Sequence, residues 1–309
     1  MKKQGITRRE LLELTVALGA SPLLASVAQA ATGDENMMTR KIPASGEELP
    51  VIGLGTYDVF DVASTDDNIA TRAEIVKRLT DHGGSLIDTS PMYNRSEKVI
   101  GDVIARDGNR DDVFLATKVW IDGEDAGIRQ MNESAKLMQT KVIDLMQVHN
   151  LRDTDIHMAT IREWQEEGRI RYNGLTHYTA GAHAALESSM RTHKPDFIQI
   201  NYSIGEREAG NRVLPAAEEL GIAVLANRPF VTGRLFSKVS GMNLPGWATE
   251  FADSWGQFFL KYITSHPAVT CVIPATSKPK HMLDNLGAGF GPVPDAATRR
   301  KMEEFFDDL

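Results

Sequence analysis

The sequence predicts a single (β/α)8 barrel, entered through a short N-terminal hairpin, on three observations. Eight short β-branched or apolar runs recur along the chain, each followed by a segment with helical spacing. Several of those segments stop on glycine or proline, at Gly83, Gly168, Gly221 and Pro267, as helix ends do. Once an N-terminal leader is set aside, residues 31–309 are close to the size of one such barrel, about 250 residues. Alternating βα units imply a parallel sheet, and eight of them favour closure over an open, doubly wound sheet. No internal repeat or low-complexity tract interrupts the alternation.

Residues 1–30 do not belong to the barrel. Met1-Lys2-Lys3 is basic, Thr7-Arg8-Arg9-Glu10-Leu11-Leu12 carries a twin-arginine pattern, and a mildly apolar run over 14–27 ends at Ala28-Gln29-Ala30. That order predicts a signal peptide cleaved after Ala30, export through the twin-arginine (Tat) machinery, and a periplasmic mature protein. The apolar run is too short and too interrupted to cross a bilayer, and no later stretch reaches the roughly eighteen apolar residues a span needs. Acidic residues outnumber basic ones, 42 to 34, and the net charge of −8 with scattered Lys and Arg argues against a nucleic-acid or anionic-membrane partner. The single cysteine, Cys271, excludes an intramolecular disulfide and lies in the apolar run Thr270-Cys271-Val272-Ile273, which predicts a buried, inert thiol.

Residues 40–50 carry a Ser-Gly turn and predict a hairpin plugging the bottom of the barrel. The barrel strands are expected at 51–53, 85–88, 113–118, 142–148, 170–176, 197–201, 223–227 and 270–273. The clearest helical segments are 75–82, 158–167, 180–190, 216–220 and 258–265.

The second strand leads from Leu86-Ile87 into Asp88, a proline-broken turn, and Tyr93. Asn94 and Glu97 have the spacing of a capping box, followed by Val99, Ile100, Val103 and Ile104 at helical spacing. The third strand ends on Lys118 and the fourth on His149. Neighbouring strand ends adjoin at the C-terminal face of a barrel, where its chemistry collects, so Asp88, Tyr93, Lys118 and His149 converge on one spot. A tyrosine, with an ordinary pKa of about 10, is a poor proton donor unless a nearby cation favours its phenolate. Lys118 supplies that charge and Asp88 orients it, while a neutral His149 donates to a carbonyl oxygen. Such a set suits protonation of an oxygen on which negative charge develops, as in carbonyl reduction. Side chains hold no hydride donor, so a nicotinamide cofactor is implied.

The stretches Gly53-Leu54-Gly55-Thr56-Tyr57, 87–101, Ala116-Thr117-Lys118, Ile143-Asp144-Leu145-Met146-Gln147-Val148-His149 and Val272-Ile273-Pro274-Ala275-Thr276-Ser277-Lys278-Pro279 together resemble the aldo-keto reductase family, in order, from about Lys41 to Asn285. The resemblance implies a catalytic tetrad of Asp88, Tyr93, Lys118 and His149, with Tyr93 as the general acid of reduction, and NADP(H) as cofactor. Implied cofactor contacts are Gly55, Thr56, Thr176, Gln199, Asn227, Thr276, Lys278, Asp284 and Asn285. Among them Gln199 matches the family glutamine that binds the nicotinamide carboxamide, and Asp284 with Asn285 fits the adenine-binding helix. Thr176-His177 stands where a Ser-Asn pair is usual, and Asn227-Arg228-Pro229-Phe230 where many members stack a tyrosine. Lys278, Lys280 and His281 lie near the family's 2′-phosphate position, without its usual lysine-arginine pair. Tyr57, Trp120 and Trp247 are expected to line the substrate pocket and Trp255 to pack in the core, with selectivity carried by loops 121–127 and 237–247.

The expected activity is NADP(H)-dependent reduction of an aldehyde or ketone to an alcohol. The alternative is a non-catalytic nicotinamide-binding sensor or partner subunit on the same barrel. A metal-dependent hydrolase would need more ligands at strand ends than Asp88 and His149, and the remaining histidines fall mostly in helices or loops. Gly287-Ala288-Gly289-Phe290-Gly291 follows a helical segment, not a strand, so it is no dinucleotide fingerprint.

Overall fold

Residues 36–309 are described by the computed structural model, and the predicted leader, 1–30, lies outside the described residues. The described chain begins with an antiparallel hairpin, β1 (Thr39–Lys41) and β2 (Glu48–Pro50), paired Thr39↔Pro50 through Lys41↔Glu48. Eight parallel strands follow in sequence order: β3 (Leu54–Gly55), β4 (Leu86–Asp88), β5 (Phe114–Val119), β6 (Ile143–His149), β7 (Ile170–Thr176), β8 (Phe197–Asn201), β9 (Ala223–Asn227) and β10 (Cys271–Val272). Parallel bridges Ile52↔Val272 and Gly55↔Ala275 join the last strand to the first and close the barrel. Helices α1 (Asp66–Asp81), α2 (Ser96–Asp107), α3 (Glu124–Leu137), α4 (Thr154–Glu166), α5 (His183–His193) and α6 (Val213–Leu220) connect β3 through β9. Between β9 and β10 run the short α7 (Arg234–Lys238) and α8 (Trp255–Thr264), and α9 (Pro279–Gly287) and α10 (Ala296–Asp307) follow β10.

Alternation along each strand sorts its side chains between two cores. Leu86, Phe114, Ala116, Leu145, Tyr172, Phe197, Ala223, Leu225, Cys271 and Ile273 fill the barrel interior, joined by Ile42 and Leu49 from the hairpin. The hairpin therefore plugs the barrel bottom. The intervening strand residues, such as Ile87, Leu115, Val119, Met146, Val148 and Ile198, face outward and pack with the helices in the larger core. One strand position further toward the C-terminal end, the inward rows turn polar, at Asp88, Lys118, Gln147, His149, Gln199 and Asn227.

The observed strands match the expected runs from β4 to β10 to within a residue or so. The first differs: regular pairing falls on 54–55, although Gly53 N donates to the Val272 carbonyl and Val272 N to the Val51 carbonyl, both at 2.9 Å. Helix α1 starts well before the expected 75, because Thr65 accepts from Asn68 N at 3.3 Å and caps it there. The expected capping box is not formed. Asn94 sits outside the helix at φ 51° and its Nδ2 donates to Asp61, while Glu97 is buried and accepts from Thr117 Oγ1 at 2.6 Å. A tertiary partner on β5 outbids the local backbone for that carboxylate. Cys271 is buried within the barrel interior, its thiol pushed well above its ordinary pKa by burial and then by the charge of Asp88. Among the described residues no helix is long and apolar enough to cross a membrane, and no cluster of three or more His, Cys, Asp or Glu side chains is arranged to hold a metal ion.

Candidate active site

The register of three adjacent strands, β4 to β6, starts the site. Asp88 pairs with Ala116 and Lys118 with Gln147, so Asp88, Lys118 and Gln147 occupy consecutive inward positions around the wall. Lys118 is wholly buried and Asp88 is 2% exposed; Lys118 Nζ donates to Asp88 Oδ2 at 2.7 Å and to the Thr89 carbonyl at 2.8 Å. The other carboxylate oxygen, Oδ1, accepts from Gln199 Nε2 at 2.8 Å and from Gln147 Nε2 at 3.0 Å. A buried charge is tolerable only when its partners are this complete. Desolvation alone would push the Lys118 ammonium down, but the Asp88 carboxylate against it holds it above the ordinary lysine range, so it stays charged.

Tyr93 ends a 3₁₀ turn, Pro91–Tyr93, that carries it back over this pair, with Lys118 Nζ 5.0 Å from the centre of its ring. Tyr57 meets it edge-on at 5.1 Å and His149 at 6.1 Å. Burial pushes the Tyr93 phenol above its usual value, with the Lys118 charge opposing that rise. Lys118 favours the phenolate as expected, but desolvation outweighs the cation and the hydroxyl holds its proton. His149 is driven down to about 2 by burial, then by Lys118 and His177, so its ring is neutral. Its Nδ1 lies 3.1 Å from Ser90 Oγ, and among the described residues its Nε2 has no hydrogen-bond partner.

The remaining predicted residues fall into three groups. Gln199 and Asn227 adjoin the tetrad, Asn227 Nδ2 donating to Gln199 Oε1 at 3.3 Å while Asn227 Oδ1 is buried without a partner. Thr176 pairs with His149 across β6 and β7 and with Gln199 across β7 and β8, and is buried between them. Gly55 and Thr56 support the wall: a Cβ on Gly55 would come within 2.8 Å of the Ile273 carbonyl oxygen, and fully buried Thr56 donates its hydroxyl to the Asp88 carbonyl at 2.9 Å. At the start of α9, Thr276 Oγ1 accepts from Lys278 N at 3.1 Å, and exposed Lys278 and Lys280 have no ion-pair partner among the described residues. On the same helix Asn285 is buried, and Asp284 accepts from Ser254 Oγ at 2.9 Å and Gln257 Nε2 at 3.3 Å at the N-terminus of α8.

Of the four aromatic candidates, Tyr57 and Trp120 adjoin the site, Trp120 lying 6.3 Å from His149 beneath the Arg152 guanidinium. Trp247 does not line it. It packs with Phe251, Phe258 and Phe305, and Trp255 joins Phe258, Phe259 and Phe305 in the same cluster, as core packing predicted. Gln147 and Ser90 were not singled out from the sequence. The signal for Gln147 was its phase, two residues before His149 on the inward face.

These features fit a nicotinamide dinucleotide. The orphaned Asn227 Oδ1 beside Gln199 is an acceptor suited to a carboxamide, and the unpaired Lys278 and Lys280 are suited to a phosphate. The closed eightfold barrel gathers Asp88, Lys118 and His149 at the C-terminal ends of three consecutive strands, with Tyr93 in the turn beyond the first of them. The chain belongs to the aldo/keto reductase family, a family of NADP(H)-dependent oxidoreductases, whose model matches residues 51–300. It is 29% identical over 214 residues to the aldo-keto reductase YhdN of Bacillus subtilis (strain 168), a match spanning 64% of either chain. It is 26% identical over 301 residues to the aldo-keto reductase str7 of Strobilurus tenacellus, covering 83% of this chain and 87% of that one. In fold it is similar to an aldo/keto reductase from Klebsiella pneumoniae solved with NADP and acetate, at a TM-score of 0.72 and 24% identity, covering 84% of this chain and 93% of that one.

Proposed function

We propose that the protein is an NADP(H)-dependent reductase that converts an aldehyde or ketone to an alcohol, with Tyr93 as general acid. The observation that carries this reading is the Tyr93 ring held over a fully buried Lys118–Asp88 pair beside a neutral His149. When bound, the reduced nicotinamide supplies the hydride. Gln199, Asn227 and Thr176 would hold its carboxamide end, and Lys278 with Lys280 its 2′-phosphate. His149 Nε2 donates to the substrate carbonyl oxygen and sets it within reach of the Tyr93 hydroxyl. Tyr93 transfers its proton to that oxygen as negative charge develops there, and the charged Lys118 stabilises the phenolate left behind. Asp88, gripped by Gln147 and Gln199, keeps Lys118 aimed.

The test is carbonyl-dependent oxidation of NADPH by the purified protein, across aldehydes, ketones and sugars. Tyr93→Phe keeps the ring but removes the acid, and should lower turnover by about 10²- to 10⁴-fold while NADPH still binds. NADPH binding with no carbonyl turnover in the wild-type protein would favour a sensor or partner subunit instead. The twin-arginine motif supports a periplasmic location, with the barrel folded around its cofactor before export; periplasmic recovery unchanged by Arg8→Lys with Arg9→Lys would refute that reading.

A further inference from the structure

Ser90 has no part in the proposed chemistry, yet it is fully buried against a ring that does. It lies in the turn after β4, where its Oγ accepts from Met92 N at 3.3 Å and sits 3.1 Å from His149 Nδ1. A neutral imidazole carries one ring proton, and the two nitrogens compete for it. If Nδ1 held the proton, it would donate to Ser90 Oγ, which already accepts from Met92. The Ser90 hydroxyl proton would then be buried with no acceptor among the described residues. If Nε2 holds it, Ser90 donates to Nδ1 and accepts from Met92, so the serine hydroxyl and Nδ1 are both satisfied, and the Nε2 proton is left at an atom that is not closed off from solvent. Leaving a buried donor unmatched is costly enough to bias the tautomers by roughly ten-fold or more.

We propose that Ser90 is a positioning residue that fixes His149 as the Nε2–H tautomer, so that the ring presents a donor to the carbonyl oxygen. Without Ser90 the ring is free to carry its proton on Nδ1, which would turn a lone pair toward the substrate oxygen. The catalytic consequence rests on the reductase reading; the tautomer itself does not.

The test uses the full chain with ¹⁵N-labelled histidine. Imidazole nitrogen spectra of the wild type, Ser90→Ala and Ser90→Thr are recorded, with the His149 signals assigned by their loss in His149→Gln. Steady-state constants for a carbonyl substrate and NADPH binding are measured alongside. The wild type should show Nε2 protonated and Nδ1 bare. In Ser90→Ala both nitrogens should shift toward a mixture of tautomers, kcat should fall roughly ten-fold, and NADPH affinity should stay within about two-fold, with Ser90→Thr restoring the wild-type pattern. A protonated Nδ1 in the wild type, or a Ser90→Ala spectrum indistinguishable from the wild type, overturns the assignment. Should Ser90→Ala fail to fold, the wild-type spectrum decides alone. A bare Nδ1 in a protein that reduces no carbonyl would uphold the tautomer while refuting the reductase.

Discussion

Replacing Lys118 by methionine tests the centre of the site. The side chains have similar length, so the change removes the charge and leaves Asp88 buried without its cation. Breaking a buried ion pair from one side costs about 3–5 kcal/mol, because the surviving charge keeps its desolvation penalty. Here Oδ1 retains the amides of Gln147 and Gln199, which places the loss near about 3 kcal/mol. For a domain of this size that lowers the Tm by roughly 6–12 °C. Under the proposed mechanism activity should fall far more, by about 10²- to 10⁴-fold, since Tyr93 would lose the cation that stabilises its phenolate. The decisive measurement is a double-mutant cycle by denaturant unfolding. Adding Asp88→Asn removes the stranded charge while keeping an acceptor for both glutamines, so the double variant should regain most of the lost stability and none of the activity. A double variant less stable than Lys118→Met alone would show that the stranded carboxylate is not what destabilises the single variant.

Three further outcomes follow from the same geometry. Tyr93 is held protonated by burial and His149 is neutral down to about 2, so kcat/KM for reduction should be flat from about pH 5 to 9 and fall only as the phenol ionises, while alcohol oxidation, which needs the phenolate, should rise over that alkaline range; a reductive limb near neutrality would mean that a different group donates the proton. Lys278→Ala should weaken NADPH binding by about ten-fold, or about 1.4 kcal/mol, and leave NADH binding nearly unchanged in a fluorescence titration, because only NADPH carries the 2′-phosphate; equal weakening of both would remove Lys278 from the phosphate site. A methyl group at Gly101 on α2 would be driven into the Leu137 carbonyl oxygen at the end of α3, so Gly101→Ala should cost about 1–3 kcal/mol on unfolding in spite of alanine's helix-propensity advantage of about 1 kcal/mol; a more stable variant would mean that the two helices separate at little cost.

The sequence by itself determined the alternation of strands and helices and the hairpin beneath them. It also placed Asp88, Lys118 and His149 at consecutive strand ends, because period-two patterning and helix stops are local properties. Only the tertiary structure decided what those residues experience. Glu97 has the spacing of a helix cap but is drawn into the interface with β5, since a buried hydroxyl at 2.6 Å competes better than a solvated backbone amide. Trp247 lies in a loop expected to serve the substrate, yet the aromatic faces of α8 and α10 capture it. Asp88 draws its two amide donors from residues 59 and 111 positions away, a pairing created when barrel closure brings the polar inward positions together. The direction of the Tyr93 shift belongs to the same class: sequence shows that a cation is near, but the depth of burial, which sets the desolvation that wins, exists only once the chain has folded.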